Sequence, residues 1–399
     1  MYKTTPFYER LRDLNETGLW GLWSNYLSAL RYDMSAKHEY FAVRNSAGFF
    51  DTSPLYKYWI RGKDAERFLA GVLTRDIRIC KPGHAQYTVW CDDNGYVLED
   101  GVVFRHSDNE FFMTAARPNL AYFEDLVGRL DVTIEDVSEH FGMLAVQGPR
   151  SREILGQLTS DVNNLKYFDH TPSKIGKASV TISRTGYTGD LGFEVLVGAE
   201  DALDVLDQVI EAGSGRGFRP FGEDALLMTR TEAGLILIDV EFSSSRLAYN
   251  DDERVTPREL GFGWMLRKVD IDDRPFIGRK ALIREARDKT SRWSTVGLVV
   301  DWKHYDDLYN AVGLIPPKDE TPLAWESMLY DGDGQRIGYA TSLMYSPVLQ
   351  RHIAMARVHP DQAAPGNTVH LELTINHEYQ TVRADVARMP LFNPTRKTA

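Results

Sequence analysis

The sequence predicts an α+β chain of several domains that ends in an all-β unit. Three observations carry this expectation. Strand and helix patterns alternate from Tyr56 to Val127, alternate again from Met143 to Gly213, and give way to strand patterns alone beyond about residue 295. A chain of 399 residues with 43% hydrophobic residues is long enough for roughly two or three domains with real cores.

The first block reads as a strand at 56–61, a helix from Asp64 to Thr74, and strands at 86–91 and 96–104. Asp93-Asn94-Gly95 between the last two is a tight-turn signal, because Asn and Gly accept the positive φ that hairpin turns need. A strand at 110–115 and a helix carrying Leu120, Phe123, Leu126 and Val127 complete it. The second block opens on the apolar strand Met143 to Val146, and Gly148-Pro149 is read as starting a helix. Strands at 178–183 and 192–197 flank a glycine-rich hairpin. From Glu200 to Gly213 the residues Ala202, Leu203, Val205, Leu206, Val209 and Ile210 are read as one helical face. A junction is placed around 268–292, and strands follow at 295–300, 326–330, 336–342, 351–358 and 367–374. Residues 1–50, with Trp20, Trp23, Tyr26 and Tyr32 in no clean period, are read as short helices packed on later elements.

Composition narrows the function. A net charge of −11 from 46 basic and 57 acidic residues argues against nucleic acid or an anionic membrane as the main partner. Cys80 and Cys91 are the two cysteines, too few for a disulfide framework or a cysteine-rich zinc site, and a reducing cytoplasm fits. No basic segment leads into an apolar core, and no apolar run reaches the roughly 18 residues of a membrane span. The ten histidines form no HExxH or HxH pair, so no metal is expected. Gly213-Ser-Gly-Arg-Gly217 follows a helix, whereas a dinucleotide-binding loop must lead from a strand into a helix N-terminus. Neither a phosphate loop nor a GxSxG elbow occurs.

Two clusters remain. In Arg184-Thr-Gly-Tyr-Thr-Gly-Asp-Leu-Gly-Phe-Glu194 the glycines allow close backbone approach to a flat ligand. A carboxylate at Glu194 suits the paired N–H donors of a pterin edge. The same spacing also fits an ordinary β-turn with a surface glutamate. The second cluster is Glu99-Asp100 in Val97-Leu-Glu-Asp-Gly-Val-Val-Phe104. Alternation along a strand lets only one of these acids point into a shared cavity; a pair of acids on an edge strand fits equally well.

Taken together these residues resemble the glycine-cleavage T-protein (aminomethyltransferase) family. Further matches run in the same order: Val43-Arg44 with Ala47-Gly48-Phe-Phe-Asp51-Thr-Ser53, Ala145-Val-Gln-Gly-Pro149, Arg230-Thr-Glu-Ala-Gly234, Thr256-Pro257, Gly263-Trp264, Phe276-Ile-Gly-Arg-Lys-Ala-Leu282, Ser346-Pro-Val-Leu349 and Ala354-Met-Ala-Arg357-Val358. The resemblance implies a three-domain cloverleaf ring of T-protein type around a central folate channel, with a C-terminal β-rich domain. It implies a folate-binding unit from residues 1–50 plus 139–270, an α+β domain at 51–138 carrying the catalytic acid, and a barrel-like domain at 284–392. It further implies tetrahydrofolate as one-carbon acceptor, without metal or flavin, and these roles: Asp100 as catalytic acid, Glu194 holding the pterin, Tyr187, Arg230 and Tyr87 near the folate, and Arg357 closing the channel.

The departures shape the expected donor. Gly21-Leu-Trp-Ser-Asn-Tyr26 stands where the glycine-cleavage members carry Gly-Trp-x-Met-Pro. Thr114-Ala115-Ala116-Arg117 replaces a segment with an asparagine, and Leu226-Leu227 an Arg-Asp pair. The expectation is therefore a demethylase-type transferase for a small N-, S- or O-methylated donor, without a lipoyl carrier protein as partner. Trp90, Trp20, Trp23 and Arg117 are its candidate donor-side residues. The alternatives are the glycine-cleavage aminomethyltransferase and a non-catalytic folate-binding assembly factor; the Lys-Gly-Cys-Tyr-x-Gly-Gln motif of the latter branch does not occur.

Overall fold

The computed structural model describes residues 2–271, 273–317 and 322–399. Residue 272 of the predicted junction lies outside the described residues.

The first alternating block forms a five-stranded sheet, in the order Ala85–Cys91, Val97–Arg105, Glu110–Ala115, Tyr56–Arg61, Thr133–Asp136. Helix Ala65–Val72 repeats its apolar residues Ala65, Phe68, Leu69 and Val72 at helical spacing, so one stripe can be buried. That stripe, with Phe123 of helix Leu120–Val127, covers one face of the sheet over Tyr58, Trp90, Val103 and Met113.

The second block forms a six-stranded sheet, in the order His170–Ile175, Ala178–Ser183, Gly192–Gly198, Phe141–Gln147, Gly48–Asp51, Arg219–Pro220. Helix Ala202–Gly213 buries Ala202, Val205, Leu206 and Val209 against Phe193, Val195 and Val197 on one face. The helix after Gly148-Pro149 is short, Ser151–Leu155.

Six strands close into a barrel, in the order Ser294–Val300, Arg351–Val358, Arg336–Ser346, Ser327–Tyr330, Thr368–Ile375, Glu378–Ala387. The last pairs back onto the first from Gly297↔Ala387 to Val300↔Ala384, so the sheet ends without a free edge. Glu378–Ala387 and helix Trp302–Ala311 are elements that the sequence reading did not anticipate.

The three units touch pairwise. Phe104 and Phe112 of the five-stranded sheet meet Leu196 of the six-stranded one. Val89 and Val97 meet Tyr339 and Met355 of the barrel. Phe50 and Ala145 meet Met344 and Ile353 of the barrel. This mixed helix-and-sheet arrangement with a closed terminal barrel is the expected α+β fold class.

Near the N-terminus the short helices expected within residues 1–50 are present at Tyr8–Leu14 and Ala36–Asn45, but the segment between them differs. Trp20–Trp23 and Tyr26–Ala29 form a hairpin, not short helices. Ser24 and Asn25 both have positive φ, at 49° and 68°, the signature of a two-residue turn whose twist suits flanking strands. Alternation over two four-residue strands is too short to announce itself as a period.

Candidate active site

The central hairpin sorts its two acids. Trp90 sits opposite Glu99 and Cys91 opposite Val97, so Leu98 is an extra residue and the strand bulges there. Beyond the bulge the alternation is regular. Glu99 shares the helix-covered face with Trp90, whereas Asp100 shares the opposite face with Val89 and Tyr87, toward the other two units. Gly101 is required where it stands: a Cβ there would lie 2.2 Å from the Thr114 carbonyl oxygen.

The Tyr87 hydroxyl donates to Asp100 Oδ2 at 2.9 Å. Burial raises the Asp100 carboxyl to about 6, and the Tyr87 hydrogen bond works against that rise. Burial, and then the charge of Asp100, hold Glu99 well above the usual carboxylate range. The Tyr87 hydrogen bond favours the ionised form of Asp100, whereas burial and the charge of Asp100 disfavour the ionised form of Glu99.

The glycine loop packs on the same centre. Glu194, opposite Ser183 and Ala145, points away from the helix-covered core that takes Phe193 and Val195. The Thr185 hydroxyl donates to its Oε2, while its Oε1 accepts no hydrogen bond from the described residues. Burial raises its pKa, opposed by the Thr185 contact. An oxygen with no protein donor is free to accept from the N–H groups of a ligand.

Gln147, within the Ala145-Val-Gln-Gly-Pro149 motif but not among the expected site residues, organises this loop. Its Nε2 donates to Thr185 O at 3.3 Å and Phe193 O at 3.1 Å, and the Thr188 hydroxyl donates to its Oε1 at 3.0 Å. Side chains at Gly186 or Gly192 would collide with it, at 2.0 and 2.2 Å. The half-buried Tyr187 donates its hydroxyl to the Ile236 carbonyl. Burial raises its pKa, opposed by the Arg230 charge and reinforced by the charges of Glu241 and then Asp100.

Arg230 is 1% exposed. Its guanidinium donates to Glu241 Oε2 at 2.5 Å, Ser342 Oγ at 2.8 Å and Leu235 O at 3.3 Å. It ties helix Glu223–Glu232 to the following loop and the barrel, beside Tyr187. Arg357, also buried, donates from Nη1 to the Tyr339 hydroxyl at 2.6 Å, and its Nη2 has no hydrogen-bond partner among the described residues.

The proposed donor side is only partly assembled. Trp90 is completely buried in the helix-covered core, 5.6 Å from Phe123, with Nε1 donating to Asn119 Oδ1 at 3.3 Å. It is a packing residue, because it lies on the Glu99 face of the hairpin rather than the Asp100 face. Trp20 packs against Tyr8 at 5.3 Å and belongs to the six-stranded unit's core. Trp23 lies 6.1 Å from Phe50. The hairpin turn next to it touches the 115–117 segment, where Ser24 Oγ donates to Ala116 O at 2.9 Å. Arg117 pairs with Asp239. Among the described residues, no group of three or more His, Cys, Asp or Glu is placed to hold a metal ion, and no helix is long and apolar enough to cross a membrane.

Comparison with known proteins gives the class and then the family. Residues 12–269 match the GCVT N-terminal domain, and residues 310–393 match the glycine cleavage T-protein C-terminal barrel domain. The aminomethyltransferase of Thermoanaerobacter sp. (strain X514) is 30% identical over 379 residues, 92% of this chain and 93% of that protein. That of Streptomyces coelicolor is 33% identical over 360 residues, 88% and 89% of the two chains. The crystal structure of glycine cleavage system aminomethyltransferase T from Bartonella henselae superposes with a TM-score of 0.81 at 23% identity, covering 98% of this chain and 99% of that one, which shows the same fold. The molecule is an enzyme of the transferase class. The chain belongs to the glycine cleavage T-protein family.

This corrects the partner reading. The expectation that a lipoyl carrier protein is not a partner rested on three divergent segments. The relatives are named aminomethyltransferases across nearly the whole chain, and the structure sharing the fold is a glycine cleavage component, the reaction which the sequence reading tied to that carrier. Local divergence does not outweigh a match of this extent, and the expectation is withdrawn.

Proposed function

We propose that this chain is a tetrahydrofolate-dependent aminomethyltransferase, which moves the methylene carbon of an aminomethyl group on a lipoyl carrier to tetrahydrofolate: bonds to N5 and N10 form as the carbon's bonds to the amine and to the carrier sulfur break, releasing ammonia and the free carrier thiol. The observation that carries the reading is the Asp100 carboxyl, held by the Tyr87 hydroxyl at 2.9 Å on the face turned to the other two units, in a chain whose relatives are named aminomethyltransferases.

Tetrahydrofolate supplies the nucleophilic nitrogen that accepts the carbon. The chain's residues do the rest. Glu194 holds the pterin through its N–H edge, with Thr185 and Gln147 fixing the carboxylate and the loop. Tyr187, on the loop, is anchored to the Ile236 carbonyl, and Arg230 braces the segment after its helix through Glu241. Asp100 orients N5, takes up its proton and stabilises positive charge that develops as the carbon–nitrogen bond to the departing ammonia breaks. Alignment of N5 with the carbon, and exclusion of water, supply much of the barrier reduction, about 7–11 kcal/mol in favourable intramolecular cases. Residues 1–50 with 139–270, 51–138 and 284–392 are proposed as the three functional units.

A second reading, demethylation of a small methylated donor onto N5, is favoured by one observation. Leu226, at one of the divergent positions, packs with the apolar cluster of Tyr40, Phe50, Phe221 and Trp23, a surrounding that suits an apolar or cationic methyl donor. Incubation of the enzyme and tetrahydrofolate with an aminomethylated carrier, and separately with methylated amines, sulfonium compounds and methoxyaromatics, decides between them. Folate-dependent ammonia release from the carrier supports the first reading; methyl loss from the small donors alone supports the second.

A further inference from the structure

The segment that follows the last barrel strand crosses the molecule and ends on the glycine loop. Phe392 N donates to Glu232 O at 2.8 Å, and the Arg44 guanidinium lies 4.6 Å from the Phe392 ring. Further on, Arg396 makes a forked contact with Asp190, Nε to Oδ1 at 2.7 Å and Nη2 to Oδ2 at 2.8 Å. Its Nη2 also reaches Arg44 O at 3.2 Å. Arg184 Nη2 in turn donates to Lys397 O at 3.2 Å and Ala399 O at 2.6 Å.

Arg184 and Asp190 are the two ends of the loop that carries Thr185 and Tyr187. Both ends are therefore tied to one short segment, the 3-10 turn Thr395–Lys397 and its neighbours. Between the ties lie Gly186 and Gly189, the latter at φ +71°, and such positions leave a loop permissive when nothing holds it. The Asp190 side chain is fully buried, whereas that of Arg396 is 39% exposed. Arg396 thus reaches in from the surface, and a planar fork matched to a carboxylate fixes orientation as well as charge. Without it Asp190 keeps the Leu191 N–H on Oδ1 at 2.8 Å and, as its charged partner among the described residues, the more distant Arg44 at 3.4 Å, a guanidinium already engaged with Glu232 at 2.6 Å.

We propose that Arg396 is a positioning residue: through Asp190 it clips the segment 392–399 across both ends of loop 184–190 and so sets the affinity of the loop for the pterin. The effect on affinity rests on the folate reading above, while the clip itself does not.

The test uses the full chain with Arg396→Ala and Arg396→Lys. Amide exchange across 184–191 is measured without ligand, tetrahydrofolate affinity by calorimetry, and KM for folate and kcat by turnover. Arg396→Ala is expected to speed loop exchange and to weaken tetrahydrofolate binding about tenfold, since apparent affinity falls with the fraction of loop in the binding form. kcat at saturating folate is expected to stay the same, and Arg396→Lys to fall between. Unchanged loop exchange in Arg396→Ala overturns the proposal, as does loss of cooperative folding in both variants, which would make Arg396 a general stability residue. If wild-type protein binds no tetrahydrofolate, the folate reading fails and the exchange comparison still decides the clip.

Discussion

Tyr87 and Asp100 face each other across one hairpin, hydroxyl to carboxylate at 2.9 Å, on the side of the sheet that Glu99 does not share. The hydrogen bond stabilises the ionised acid against burial, which otherwise raises its pKa. Activity that needs the Asp100 carboxylate should therefore fall as pH drops through about 6. Tyr87→Phe removes the lowering contact, so the acid limb of the profile should move to higher pH, read from kcat/KM between pH 5 and 8. A limb that stays in place, or moves down, would detach the profile from this pair.

Glu194 offers the second test. Glu194→Ala should weaken tetrahydrofolate binding by about 1.5–3 kcal/mol, the range for hydrogen bonds to a charged group. Calorimetry showing the wild-type affinity in that variant would remove Glu194 from the pterin site.

How much of this was legible in the sequence depends on length of pattern. Helices such as Ala202–Gly213 and the hairpin around Gly95 declare themselves by period and turn chemistry. The Trp20–Ala29 hairpin does not, because four residues per strand cannot establish alternation. The opposite facing of Glu99 and Asp100 follows from strand geometry even though Leu98 is bulged out just before them. The position of Trp90 also followed from that register, since it pairs with Glu99, yet its indole was assigned to the donor by chemistry rather than by face. Arg230 and Gln147 carry roles that depend on partners far along the chain, such as Ser342 and Phe193, which no local pattern announces.

Trp90 supplies the third prediction. As a fully buried core residue, Trp90→Ala should cost about 3–5 kcal/mol of stability. Trp90→Phe should fold and leave KM for the donor unchanged. A donor KM raised in a well-folded Trp90→Phe protein would return this residue to the donor side.

The fourth concerns acid stability. His170 is buried where the two sheets meet, with its ring 4.6 Å from His106, and burial, then the charge of His106, lowers its pKa to about 4 from the model-compound 6.5. Between those values the unfolded chain takes up a proton that the folded one refuses. Stability should hold above pH 6.5, fall as pH drops from 6.5 to about 4, and level off below. The loss is on the order of 3 kcal/mol from this group. Denaturant midpoints for His170→Gln at pH 7 and pH 5 should show a smaller pH dependence than the native protein; an identical dependence would assign the acid sensitivity elsewhere.

The central claim is transfer of a one-carbon unit to tetrahydrofolate with Asp100 acting in the transition state. Single-turnover transfer from an aminomethylated lipoyl carrier, with saturating folate, tests it most directly when native enzyme, Asp100→Asn and Glu99→Gln are compared. The account predicts folate-dependent ammonia release by the native enzyme, a fall of roughly 10²–10⁴-fold in Asp100→Asn with folate affinity kept, and a far milder effect in Glu99→Gln. No folate-dependent release by the native enzyme, or equal losses in the two variants, would contradict it.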